Sequence, residues 1–210
     1  YGSLTGGASS DSDNKYYSGD SVSLVTTSAS SSFADANAQS GKTVTVTGLS
    51  LSNSNYSIAD QTTTANITPK VLTVTGLLTT ASKTYNATMT AAVSGTPSLL
   101  TDIAAGTGTD SDGKPYTGDV VGLTGTASGI YNSKDVASAT LVTFEGLAST
   151  NSNYTLSLGT QAANITPKAL TLTGLTANNK VYNTSNTASI SSYGSLTGGA
   201  SSDSDNKYYS

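Results

Sequence analysis

Apolar and polar residues alternate in short runs along this chain. In the runs VLTVTGL (71–77) and ALTLTGL (169–175), Leu or Val occupies every second position and Thr lies between them. The same alternation appears in KTVTVTGL (42–49) and ATLVTFEGL (139–147). A period of two predicts strands with one face buried and the other in water. Thr is β-branched and suits the outer face of such a strand.

Turn sequences separate these runs and indicate an all-β fold. The separators are SGD, TGD, SDGK, SNSN and TGG, and no stretch of eleven residues carries apolar residues at helical spacing. Short strands that are separated by turns at intervals of about 8–12 residues are typical of antiparallel sandwiches. We therefore expect tandem, small, immunoglobulin-like β-sandwich modules arranged as a rod. A β-grasp-like module is the alternative, because strand pairing cannot be read from the pattern.

The chain repeats itself with two periods. Residues 1–18 and 193–210 both read YGSLTGGASSDSDNKYYS, which gives a period of 192 residues. A looser repeat has about half that length: ANITPK occurs at 65–70 and again at 163–168, 98 residues apart. Two alternating modules, A and B, account for both periods.

This repeat divides the chain into three parts. Residues 1–69 are the C-terminal part of module A, residues 70–167 are a complete module B, and residues 168–210 begin the next module A. Joined through the duplicated stretch, the two parts of module A give 94 residues. The sequence ANITPK passes into the next strand without a Gly/Ser linker, and its Pro favours a strand edge. We therefore expect stiff junctions, with neighbouring modules of the same chain or filament as the main partners.

Composition excludes several function classes. The net charge is −4 and only 10% of residues are charged, so no basic surface is available for nucleic acid. The chain has no Cys and no His, which removes the usual catalytic triads and thiolate metal sites. No run approaches the about 20 apolar residues of a membrane span. We expect a non-enzymatic protein with no required cofactor.

An acidic turn occurs in both modules and is the strongest candidate for chemistry. The sequence SDSDNKYYSGD (10–20) matches TDSDGKPYTGD (109–119). Calcium takes six to eight oxygen ligands from such loops, but the Gly and Glu of an EF-hand are missing here. The alternative is a solvated turn in which Asp and Asn bond their own backbone. The candidate calcium ligands are Asp11, Asp13, Asp20, Asp110, Asp112 and Asp119.

Tyrosines fall into two groups. The tyrosines that recur at equivalent module positions are expected to pack their rings and to bond their hydroxyls: Tyr85, Tyr182, Tyr56 and Tyr154. Tyr16, Tyr17 and Tyr116 lie beside the acidic turn. We expect these three to be exposed and to be available for contact with a glycan or another chain.

The order of motifs in each module resembles a known family. K-x-Y-N (83–86 and 180–183), N-x-N-Y and the terminal ANITPK resemble the YDG/MBG-type repeats of large bacterial surface adhesins, including filamentous haemagglutinin-like proteins. At the name-giving triplet this chain has Tyr85-Asn86-Ala87 and Tyr182-Asn183-Thr184. The resemblance implies a secreted, tandemly repeated β module at the bacterial cell surface, with no catalytic residues.

The expected function is therefore mechanical. We expect a structural repeat segment of a giant extracellular adhesin or surface fibre, acting as a stiff stalk for attachment to other cells and in biofilms. One alternative is a repeat module that binds glycan or calcium and gains strength through avidity. Another is a filament subunit completed by a strand from its neighbour.

Overall fold

The computed structural model describes residues 4–8, 10–202 and 204–209, and these residues form strands and turns only. The all-β prediction is therefore confirmed for the described residues. They contain no helix with the length and apolar character needed to cross a membrane. By its internal contacts the chain divides into two units, residues 1–70 and residues 71–210.

Unit 1 (residues 1–70) holds a three-stranded antiparallel sheet and a separate strand pair. Strand β3 lies in the middle of the sheet, between β2 and β5, and β1 pairs with β4. The alternating run at 42–49 falls in β3, as its period of two predicts. The strands are β1 (Leu24–Val25), β2 (Ser30–Phe33), β3 (Gln39–Thr47), β4 (Ser50–Leu51) and β5 (Gln61–Ile67).

Unit 2 (residues 71–210) begins with module B, whose strands form four small sheets. Their orders are β15-β13-β12-β9, β11-β6-β14, β10-β7 and β16-β8. The strands are β6 (Lys70–Thr75), β7 (Leu78–Thr79), β8 (Ser82–Thr84), β9 (Thr90–Ala91), β10 (Val93–Ser94), β11 (Ser98–Leu99), β12 (Leu123–Tyr131), β13 (Leu141–Ser149), β14 (Tyr154–Ser157), β15 (Thr160–Ala162) and β16 (Asn164–Thr166).

One strand pair departs from the expected antiparallel sheets. Strand β8 runs parallel to β16, with Lys83 opposite Ile165. The beginning and the end of module B therefore lie side by side. A parallel pair needs a long connection between its strands, and here that connection is most of the module.

Module B has an apolar core, whose main cluster includes Tyr131, Val142 and Ile165. The largest fully buried side chains are Leu72, Tyr131, Val142 and Ile165, which come from strands β6, β12, β13 and β16. The alternating runs supply two of them, Leu72 and Val142, as the pattern predicts, whereas Tyr131 and Ile165 lie outside those runs. Burial of such side chains contributes about 1.5–3 kcal/mol each to folding.

Gly146, in the sequence EGL (145–147), lies at a bend in the longest hairpin. Between β12 and β13 the register shifts between Gly125 and Ser128, which marks a β-bulge. Gly146 lies opposite the bulge with φ of +88°. A Cβ at Gly146 would lie 2.2 Å from the carbonyl oxygen of Thr126, so only glycine fits there.

Unit 1 has no comparable core among its described residues. Phe33 is 38% exposed, whereas its counterpart in module B, Tyr131, is 1% exposed. Val44 and Val46 are half-buried where module B has the buried Val142 and Phe144. The apolar face of β3 is therefore largely uncovered in unit 1.

After module B, unit 2 continues into a two-stranded hairpin of β17 (Leu172–Ala177) and β18 (Ile190–Leu196). This hairpin repeats the start of module B. Thr173 pairs with Ser195 just as Thr75 pairs with Ser98, and in both pairs the Thr hydroxyl donates to the Ser carbonyl at 3.3 Å. All residues of β17 and β18 are exposed. Tyr182, between these strands, is 86% exposed, so the prediction that its ring packs is wrong.

Candidate functional site

The middle Asp of the acidic turn fixes the turn through its own backbone. In module B, Asp112 Oδ1 accepts the Lys114 N–H at 2.9 Å, and Oδ2 accepts the Thr109 N–H at 3.1 Å. The next residue, Gly113, has φ of +73°. This is an Asx-type turn, which Asp followed by Gly or Asn favours. The same arrangement recurs in the other copies at Asp13 with Asn14 and at Asp205 with Asn206.

The last Asp of the turn accepts a hydrogen bond from a distant tyrosine. The hydroxyl of the buried Tyr154 donates to Asp119 Oδ2 at 2.5 Å and accepts the Tyr116 N–H at 3.1 Å. These two bonds connect the turn to the start of β14. In unit 1 the hydroxyl of Tyr56 makes the equivalent bonds to Asp20 at 2.6 Å and Tyr17 N–H at 2.9 Å, and the bond to Asp20 raises the pKa of Tyr56.

The tyrosines beside the turn differ in exposure. Tyr17 is 46% exposed, and its hydroxyl donates to Asp11 Oδ1 at 2.6 Å, which raises the pKa of Tyr17. Tyr16 and Tyr116 are less exposed than Tyr17, since both are half-buried. The ring of Tyr16 lies against Gly6, where a Cβ would lie 2.6 Å from Cζ. Of the three tyrosines predicted to be exposed, Tyr17 has the most accessible ring.

The proposed calcium ligands already serve the protein's own hydrogen bonds. Asp13 and Asp112 accept backbone N–H groups, while Asp11, Asp20 and Asp119 accept tyrosine hydroxyls. Asp110 lies on the exposed surface of its turn. Within the described ranges, no group of three or more acidic side chains is placed to hold a metal ion. These bonds favour the turn interpretation, and calcium binding stays a prediction.

Calcium addition gives a direct test of these two interpretations. We expect the midpoint of thermal unfolding to stay within about 1 °C when 5 mM CaCl₂ is exchanged for EDTA, because a ligand stabilises only by binding the folded state. The measurement is differential scanning fluorimetry at fixed ionic strength, with MgCl₂ as the matched salt. A calcium-specific rise of several degrees that disappears in Asp112→Asn would establish a metal site instead.

A third copy of the turn holds an ion pair that the sequence analysis did not anticipate. Lys168 Nζ donates to Asp205 Oδ1 at 2.8 Å and lies 4.4 Å from the centroid of the Tyr209 ring. The Lys168 ammonium holds the pKa of Asp205 well below its usual range. A carboxylate with a lowered pKa stabilises the fold above about pH 4, and this contribution is lost as the pH falls further. The sequence did contain one signal for this ion pair, because the Lys of ANITPK recurs at both module junctions.

The lysine of K-x-Y-N organises the loop that follows it. Lys83 Nζ donates to the carbonyl oxygens of Thr88 and Thr90 at 2.8 and 2.9 Å, and to Asn86 Oδ1 at 2.9 Å. Lys180 repeats two of these bonds, to the carbonyls of Ser185 and Thr187. The lysine of this motif therefore holds the loop that follows it in place through hydrogen bonds.

The third residue of the altered triplet keeps a conformation that suits glycine. Ala87 has φ of +63° and Thr184 has φ of +60°. A non-glycine residue in this left-handed region costs roughly 1–2 kcal/mol. The chain therefore retains the backbone of a Y-x-G turn without the glycine.

Restoring glycine should relieve this strain. We expect Ala87→Gly to raise the free energy of unfolding of module B by about 0.5–1 kcal/mol, because the removed strain exceeds the added chain entropy. Urea titration followed by circular dichroism measures the change. Ala92→Gly, on an exposed residue, is the control and should destabilise or have no effect. A loss of stability in Ala87→Gly would contradict the strain argument.

Removing the hydroxyl of Tyr154 should weaken the connection between the acidic turn and β14. We expect Tyr154→Phe to lower the free energy of unfolding by about 1–3 kcal/mol, since one charge-assisted bond and one backbone bond are lost. Tyr193→Phe is the matched control, because Tyr193 is exposed and surface changes stay within about 0.5 kcal/mol. Equal effects of the two substitutions in urea titrations would show that the bond to Asp119 is unimportant.

Comparison with known proteins gives one match. No curated protein and no solved structure matches the chain. The family model of the YDG domain matches residues 2–65, which end at the first residue of the first ANITPK. This stretch, within the C-terminal part of module A, is therefore of the YDG type.

Proposed function

We propose that this chain is a segment of a giant extracellular bacterial adhesin or surface fibre, and that its tandem modules form a stiff stalk for attachment. The observation that carries the proposal is the repeated hairpin. Strands β17 and β18 pair in the same register as β6 and β11. This likeness supports a further module that begins at residue 168, as a tandem array requires.

The junction between modules supports stiffness. Strand β5 ends at Ile67 and β6 begins at Lys70, so only Thr68 and Pro69 separate the last strand of one module from the first strand of the next. Pro fixes φ and narrows the conformations of such a connection. Flexible linkers between domains are usually longer and rich in Gly and Ser.

Chains with one, two and four copies of the 192-residue period test this proposal. We expect the maximum dimension from small-angle X-ray scattering to grow in proportion to the number of periods. Modules joined flexibly would instead grow roughly as the square root of that number. Growth with the square root would contradict a stalk. The control is an array in which every Pro69 and every Pro167 is replaced by Gly. It should be more compact than the parent array.

A second candidate function is glycan binding through avidity. The exposed ring of Tyr17 beside Asp11 is the observation that favours it, because aromatic faces next to carboxylates suit sugar rings. Repetition along the array would multiply a weak affinity. Glycan-array binding by the four-period chain, lost in Tyr17→Ser, would support this function, and binding that is unchanged by Tyr17→Ser would count against it.

A further inference from the structure

The two recurrent motifs of the repeat form a strand pair in module B. K-x-Y-N (83–86) contributes the second half of β8, and ANITPK (163–168) contains β16. The two strands run parallel, with Lys83 opposite Ile165. The pair lies inside the chain, which continues beyond it on both sides. The motifs that identify a module are therefore the ones that join its beginning to its end.

The direction of these two strands decides how they respond to tension. In an array, tension from the C-terminal side meets β16 first, and the strand partner of β16 is β8. Tension from the N-terminal side reaches β8 through β6 and β7. Because the strands are parallel, these opposite pulls slide one strand along the other. The bonds of a parallel pair are evenly spaced along it, so they all carry the load together.

Hydrogen bonds hold the β8–β16 pair along its whole length. The Asn164 N–H donates to the Ala81 carbonyl oxygen at 3.0 Å, and the Tyr85 N–H donates to the Thr166 carbonyl oxygen at 2.8 Å. The Thr166 hydroxyl donates to the Lys83 carbonyl oxygen at 3.2 Å. Sliding of the strands breaks these bonds in a single event, whereas separation from one end would break them one after another.

Each strand of the pair is also fixed to the body of module B. Lys83 Nζ donates to the carbonyl oxygens of Thr88 and Thr90 at 2.8 and 2.9 Å. The same ammonium lies 5.3 Å from the centroid of the Tyr131 ring, which is buried. Ile165 is 1% exposed and belongs to the core cluster. Anchors on both strands oppose peeling, so sliding is the route that tension leaves open.

We propose that β8 and β16 form a mechanical clamp, which is the strand pair whose rupture sets the force at which module B unfolds. This inference rests on the tandem-module function proposed above, since only a chain under tension uses a clamp. Both motifs recur in module A, as KVYN (180–183) and ANIT (65–68). Every module of the array would then carry the same clamp.

Single-molecule force spectroscopy of the 210-residue chain tests the effect of pulling direction. The chain has no Cys, so DNA handles can be attached through introduced cysteines. Handles at the two ends of the chain load the clamp in shear. Handles at Ser82→Cys and Asn164→Cys, which are exposed and opposite each other, open it from one end.

We expect module B to resist tension in only one of these directions. At equal force it should unfold roughly 100-fold more slowly with handles at the chain ends, because about four bonds rather than one break together. The event is recognised by its length. Module B has 98 residues, and each extends by at most about 3.3–3.6 Å, so its release adds roughly 300 Å.

Two substitutions that each remove one hydroxyl separate the clamp from stability in general. Thr166→Val removes the bond to the Lys83 carbonyl and should raise the unfolding rate at equal force about 5-fold. Tyr154→Phe is the matched control, because its bond to Asp119 lies outside β8 and β16. It should change that rate by less than about 2-fold, although it lowers the equilibrium stability by at least as much.

Two results would overturn the proposal. One is the same unfolding rate at equal force in the two pulling directions. The other is a larger effect of Tyr154→Phe than of Thr166→Val. Linear growth of the tandem arrays in scattering together with either result would refute the clamp and leave the stalk function standing. Square-root growth together with a strong dependence on pulling direction would establish the clamp and refute the stalk.

Discussion

Leu72→Ala should lower the free energy of unfolding of module B by about 2–5 kcal/mol. Leu72 is fully buried in β6, so its truncation leaves a cavity in the core. A whole domain is stable by only about 5–15 kcal/mol, and this loss is a large part of that. Urea titration followed by circular dichroism, at a concentration where the chain is monomeric, measures the effect.

The matched control is Leu170→Ala, at the position equivalent to Leu72 just before β17. Leu170 is exposed, so its truncation in the monomer should cost less than about 1 kcal/mol. The same residue type in the same local sequence then gives two very different costs. Similar losses of unfolding free energy for both substitutions would contradict the difference in burial between Leu72 and Leu170.

Gly146→Ala should lower the free energy of unfolding by about 2–5 kcal/mol. The left-handed backbone accounts for roughly 1–2 kcal/mol of this loss. The remainder comes from the added Cβ, which would lie 2.2 Å from the Thr126 carbonyl oxygen and force the bulge apart. Urea titration again gives the value.

Gly159→Ala separates the two causes of that loss. Gly159 has φ of +74°, and open space surrounds it within the part of the chain that the structure describes. Only the conformational cost of about 1–2 kcal/mol should remain. If Gly146→Ala costs no more than Gly159→Ala, the close approach at the bulge has no energetic importance.

Local pattern predicted the strands well, because alternation depends only on neighbouring residues. The runs at 42–49 and 139–147 overlap β3 and β13 over most of their length, and the run at 71–77 contains all of β6 except Lys70. Burial was predicted less well. Leu172 has the same local pattern as Val74 but is exposed, since burial depends on partner strands that lie elsewhere in the sequence.

The acidic turn shows the same division between local and distant causes. The Asx-type turn at Asp112 follows from Asp with Gly next to it, and the sequence offered it as one of two interpretations. The bond from Tyr154 to Asp119 joins residues 35 positions apart and depends on the fold of the module. Charge spacing alone indicated calcium ligands, and it could not show that Asp119 also accepts a hydrogen bond from the hydroxyl of Tyr154.

The central claim is that residues 168–192 and 1–69 are two parts of one module. A rearranged chain that runs from Lys70 to Ser192 and then from Tyr1 to Pro69 tests it most directly. Its internal junction reproduces the natural sequence, because residues 1–18 and 193–210 are identical. Module A is then continuous, and module B is unchanged.

Differential scanning calorimetry of both chains, each as a monomer, is the measurement. Unfolding enthalpy is about 0.7 kcal/mol per residue near 60 °C, so a completed module of 94 residues should add roughly 60–70 kcal/mol. We predict a rearranged chain with two cooperative modules and a correspondingly larger enthalpy than the 210-residue chain. Equal enthalpies in the two chains would contradict the claim that these residues form one module.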